Sequence, residues 1–116
     1  MTVYYLNGSP QLGQATTGVG QIVPMVDKAT GSFNNPPFQT FQVVATTTAG
    51  NVTATVQPEG SNDGVNWVPI GSAIAITSGA SPQTSSAVAN TTYQYYQANV
   101  TALTGTGAAV TTTMGV

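Results

Sequence analysis

Apolar and polar residues alternate with a period of two along much of the chain. Val52, Ala54 and Val56 alternate with Thr53, Thr55 and Gln57, the signature of a strand buried on one face. In residues 38–47, Phe41, Val43 and Ala45 share one face and Thr40, Gln42 and Thr46 the other, with Phe38 and Val44 interrupting the pattern. In residues 92–103, Tyr96, Ala98 and Val100 oppose Tyr95, Gln97 and Asn99. Shorter strand candidates cover residues 3–6, 21–26, 65–70, 73–77, 85–89 and 108–114, with Pro24 marking an edge position. Gly, Pro, Asn and Ser separate these pieces, as in Asn7-Gly8-Ser9-Pro10 and Ala49-Gly50-Asn51. Residues 78–82 form a further loop, and Gly105-Thr106-Gly107 turns the last strand back onto its predecessor as a terminal hairpin. No stretch carries the Glu, Lys, Arg and Leu content of an amphipathic helix. The pattern predicts an all-β protein: a single β-sandwich, jelly-roll or Ig-like, of about 7–8 short antiparallel strands.

Two segments near the start break the rhythm. Residues 13–20 are rich in Gly and Thr and read as a loop or arm, and residues 27–37, with Asn34-Asn35-Pro36-Pro37, read as a loop. Residues 1–37 are therefore expected to be a loop-rich N-terminal arm with short strands, and residues 38–116 the sandwich core of one domain.

Charge narrows the functional classes. Of 116 residues, one is basic and three acidic, namely Lys28 with Asp27, Glu59 and Asp63, and there is no His or Cys. Acid–base, nucleophilic and thiolate or imidazole metal chemistry rely on the side chains that are missing, so neither an enzyme, nor a metal site, nor a cofactor is expected. A net charge of −2 excludes the basic patch that holds a nucleic-acid backbone. No apolar run approaches the roughly 18–20 residues that span a bilayer, so no membrane partner is expected. The opening residues lack the n- and h-regions of a signal peptide, which points to synthesis in the cytoplasm. A nearly uncharged surface has little repulsion to keep copies or partners apart, and suits a protein docked in an assembly.

Local features divide between architecture and ligand chemistry. Asn62, Asp63 and Gly64 form a structural turn signal between residues 52–57 and 65–70: Asn and Asp bond the backbone ahead of them and Gly supplies positive φ. Trp67 follows at once and is the expected core anchor. A calcium loop would gather more carboxylates than Glu59 and Asp63, and a glycosidase pair would need a tuned environment around them. Tyr93, Tyr95 and Tyr96 are candidate interface residues, with Tyr93 and Tyr95 on one face and Tyr96 on the other; a sugar-stacking platform is the competing reading. Asp27-Lys28 reads as a solvated pair, and Gly18-Val19-Gly20 lacks the Lys and following helix of a phosphate loop.

Ser61-Asn62-Asp63-Gly64-x-Asn66-Trp67, followed by the strand at 92–101 and a Gly/Thr/Ala-rich end at 103–116, resembles small β-sandwich structural proteins of tailed phages. The resemblance covers about residues 38–116; the same turn occurs in galactose-binding jelly rolls, which are usually longer and often carry charged ligand residues that this chain lacks. Size and surface point within that group to a head decoration, or cement, protein. The resemblance implies binding to the major capsid protein on the mature virion surface, after synthesis in the host cytoplasm, and homo-oligomerisation, a trimer by analogy. A carbohydrate-binding or adhesin module on a tail or fibre, or a tail or baseplate component, are the alternatives.

Overall fold

The computed structural model describes residues 2–25 and 38–116. Among these there is no helix, and the strands are β1 (Val3–Asn7), β2 (Gly18–Val19), β3 (Val23–Pro24), β4 (Gln39–Thr46), β5 (Ala49–Ser61), β6 (Val68–Pro69), β7 (Ile74–Ala80), β8 (Gln83–Ala89), β9 (Tyr95–Thr106) and β10 (Ala109–Gly115). They make two antiparallel sheets packed as a β-sandwich. One, sheet A, has the order β1-β10-β4-β8. In sheet B, β9 and β5 lie at the centre, β2 and β3 flank β9, and β6 and β7 flank β5.

The alternation read in the sequence explains the packing. Phe41, Val43 and Ala45 of β4 and Val110 and Met114 of β10 turn inward from sheet A. Val52, Ala54 and Val56 of β5, Tyr96, Ala98 and Val100 of β9, and Ile74 and Ile76 of β7 meet them from sheet B. Intervening residues such as Thr40, Gln42 and Thr46 face outward. Burial of one face per sheet supplies the dominant stabilisation.

Pairing departs from the expected hairpins. β10 does not pair with β9; it inserts between β1 and β4 in the opposite sheet. Over residues 95–100 β9 already has β5 on one side and β2 and β3 on the other, so only its last residues are open on that side and a full-length hairpin with β10 has no place. Residues 78–82 are not one loop: β7 runs to Ala80, and the chain changes sheets at Ser81-Pro82 before β8. Taken together, the chain folds as a long antiparallel ribbon: β1 with β10, β2 and β3 with β9, β4 with β8, and β5 with β6 and β7.

The N-terminal segment is not an arm over residues 2–25. Leu6, Val23 and Met25 lie in the core, because β1 adds to sheet A and β2 and β3 add to sheet B. Gln14 exchanges two backbone bonds with Val110, and its side chain accepts from Asn7 Nδ2, which also donates to the Ala98 carbonyl. This brace joins the two sheets. The loop expected at 27–37 and the Asp27-Lys28 pair lie outside the described residues.

Candidate functional site

The Ser61–Asn66 turn is built by side chains. Ser61 Oγ accepts from the backbone N–H groups of Asp63 and Gly64 and donates to Asp63 Oδ1. Asp63 Oδ1 also accepts from the Val65 and Asn66 N–H groups, and Oδ2 accepts from Asn66 Nδ2. These donors, the Asn66 N–H foremost, hold the Asp63 carboxyl well below the usual carboxylate range. Gly64 sits at φ +74°, the left-handed region that favours glycine. The Asx-type bonding draws residues 62–67 into a compact loop, so the hairpin is longer than Asp63-Gly64 alone: β5 extends to Ser61 and β6 holds only Val68 and Pro69. Asn62 is exposed on this loop.

Trp67 is not the core anchor that its size suggests. It is half-buried and outside the core cluster, because it lies where the loop enters a two-residue edge strand. Tyr96 and Tyr93 supply the aromatic filling at this end. Tyr96 is fully buried, and its hydroxyl accepts from the Tyr93 N–H and bonds Thr91 Oγ1. Tyr93 meets it edge-on, with ring centroids 6.3 Å apart, and packs so closely over Gly60 that a Cβ there would fall 2.2 Å from the ring. Of the three interface candidates, Tyr96 is therefore withdrawn into the core, Tyr93 is half-buried against it, and Tyr95 stays half-buried beside Gly64.

The carboxylates are engaged in local structure. Glu59 on β5 accepts from Gln97 Nε2 directly across on β9 at 2.7 Å, and Asp63 is held by its turn. Among the described residues no group of three or more acidic, His or Cys side chains comes together to hold a metal ion.

Two surface features were not foreseen from sequence. A cleft of about 500 Å³ lies between the edges β7 and β8, with Phe41, Ile70, Ile74, Ala87 and Ala89 among its walls. On the outer face of sheet A, Val3 and Tyr5 of β1 stand beside Gly115 and Thr113 of β10 and Thr40 and Gln42 of β4 and form a shallow groove. The register continues the row Val3, Gly115, Thr40 onto Val88 of β8, and Phe38 precedes β4 on the same side. Val3, Phe38 and Val88 are 51%, 62% and 74% exposed. The one sequence signal for this face was Phe38, out of step with its strand.

Comparison of the chain with protein-family models, with curated proteins and with solved structures finds no match.

Proposed function

We propose that this is a virion structural protein of a tailed phage, a capsid decoration protein that binds the mature head and braces neighbouring major capsid subunits. The observation that carries this reading is the outer face of sheet A. Its strands contain no charged residue, and Val3, Phe38 and Val88 stand exposed along it. An uncharged face with exposed apolar side chains marks a contact surface, and a contact made through it loses little to salt. The sandwich supports the reading as a jelly roll. With β2 and β3 taken as one strand and β6 and β7 as another, the ribbon of antiparallel pairs is an eight-stranded hairpin rolled into two sheets.

The test is co-sedimentation with expanded capsids that lack the protein, alongside isolated tails, at low and high salt. Saturable, salt-tolerant binding to capsids alone, with raised heat resistance of the particles, is expected. Binding to tails alone would replace this reading with a tail or baseplate role. The groove that joins Tyr5 to Thr40, Gln42 and Thr113 favours one second reading, a module for neutral carbohydrate, since an aromatic ring among hydroxyl and amide groups suits a sugar. Glycan binding abolished by Tyr5→Ala, without capsid binding, would select it.

A further inference from the structure

We propose that β8 pairs with β8 of a second copy, antiparallel about a two-fold axis midway between the two Ser86 residues, so that the two A sheets join edge to edge. Among the described residues the other edges of the sandwich are blunted: the stretch of β9 beyond Val100, which has β5 alone beside it, is interrupted by two register shifts. β1 carries a register shift between Tyr5 and Asn7, and the pairing of β7 with β5 shifts between Val52 and Ala54. β2, β3 and β6 are two residues each. β8 instead runs in unbroken register with β4 from Gln83↔Ala45 to Ala89↔Gln39, and among the described residues β4 is its sole neighbour in the sheet. Its sequence, QTSSAVA, contains no charge and no proline. A regular edge without a bulge, a lysine or a proline presents a row of unpaired N–H and C=O groups that templates another strand.

The strand itself specifies a second copy as the occupant. In an antiparallel pair, directly opposite residues point to the same face, so the two-fold axis must lie midway between one residue and its own copy, never between two different residues. Ser86 is the midpoint of Gln83–Ala89, and only there do all seven residues find a partner. Ser86 then faces its own copy, exposed Thr84 lies against the highly exposed Val88 of the second copy, and Ser85 lies against Ala87. No like charges meet, and small hydroxyl and methyl groups meet on both faces except at the two ends, where Gln83 lies against Ala89. The arrangement is isologous and closes at two copies, unlike the trimer implied by resemblance. It does not depend on what the protein binds.

Sedimentation of the purified protein tests it, with a dimer mass expected as concentration rises. Ser86 is exposed, so Ser86→Lys should leave the circular dichroism and melting of the fold unchanged while placing two ammonium groups on the axis; loss of the dimer is expected. Ser86→Glu should lose it likewise, and an equal mixture of the two variants should recover it. Because the chain has no cysteine, Ser86→Cys gives an independent readout. Opposed Cα atoms about 4.5–5.5 Å apart fall within disulfide range, so the variant should cross-link on oxidation while Gln11→Cys should not. A monomer at every concentration, a trimer, or a dimer indifferent to Ser86→Lys would overturn the proposal.

Discussion

Replacing Thr112 by valine should stabilise this protein. Thr112 lies on β10 opposite Asn7 of β1, and it is fully buried. Its hydroxyl and the side-chain oxygen of Asn7 are buried without a hydrogen-bond partner. A buried hydroxyl that has given up water for nothing costs about 1–3 kcal/mol. Valine has nearly the same shape and the same preference for a strand, so the exchange removes that cost and adds a buried methyl. A net gain of about 1–2 kcal/mol is expected, which for a domain of this size corresponds to roughly 3–8 °C in Tm. Urea unfolding followed by the fluorescence of the single tryptophan measures it, with the midpoint rising and the slope unchanged. Asn7→Ala is the contrasting variant: Asn7 Nδ2 bonds Gln14 Oε1 and the Ala98 carbonyl, each at 3.0 Å, so its removal should cost about 2 kcal/mol or more. If Thr112→Val instead destabilised by 1 kcal/mol or more (roughly the worth of one bond), the reasoning would fail, and a water bridging the two oxygens would be indicated.

Three other outcomes follow from the packing. Gly20→Ala should cost about 3 kcal/mol or more in urea unfolding, because its Cβ would fall 1.9 Å from the Leu6 carbonyl oxygen, where backbone must move; a loss under about 1 kcal/mol would contradict the close approach of β1 to this segment. Tyr96→Ala should cost about 3–5 kcal/mol and half-buried Trp67→Ala about half as much, and the reverse order would return Trp67 to the core. Asp63 is held below its ordinary pKa in the folded state, so as pH falls the unfolded chain takes up the proton first. Its contribution is complete above the ordinary value of about 3.9 and is lost progressively below it. Thermal melts from pH 6 to pH 2 should therefore fall less steeply for Asp63→Asn than for the parent, and parallel curves would refute the assignment.

The sequence revealed strand faces better than strand partners. The inward parity of Phe41, Val43 and Ala45, and of Tyr96, Ala98 and Val100, follows from a period of two and needs no knowledge of neighbours. Partners depend on which edges remain vacant, and nothing local in residues 105–114 announces that β9 is already paired on both sides over residues 95–100. The N-terminal segment misled for a related reason: Leu6, Val23 and Met25 lie in two short apolar stretches, residues 3–6 and 21–26, parted by a Gly- and Thr-rich segment, and the β1, β2 and β3 strands that carry this segment into the sandwich are only two to five residues long. Size misled at Trp67, whose position at the loop's entry to a two-residue edge strand outweighs the apolar area of its ring. At Asp63 and Gly64 the local chemistry was readable because an Asx turn is made by near neighbours alone.

The few charges bear on function through where they are spent. The two carboxylates among the described residues belong to sheet B and its turn, where Asp63 is bonded by its own loop and Glu59 by the amide of Gln97. Sheet A has no charge on any strand, so its outer face and its β8 edge offer apolar side chains, hydroxyls, amides and backbone groups. Charge normally keeps such surfaces apart, and where it is absent, register and shape must select the contact. At β8 the register selects a two-fold pair, and on the outer face the row Val3, Thr40, Val88 runs along the same sheet. A β8 pair would align these rows from two copies into one broader uncharged face. Each copy docked through that face would help seat the other, so the Ser86→Lys variant should bind capsids more weakly than the parent and its equal mixture with Ser86→Glu should recover the binding, whereas equal binding by Ser86→Lys and the parent would separate the edge from the docking face.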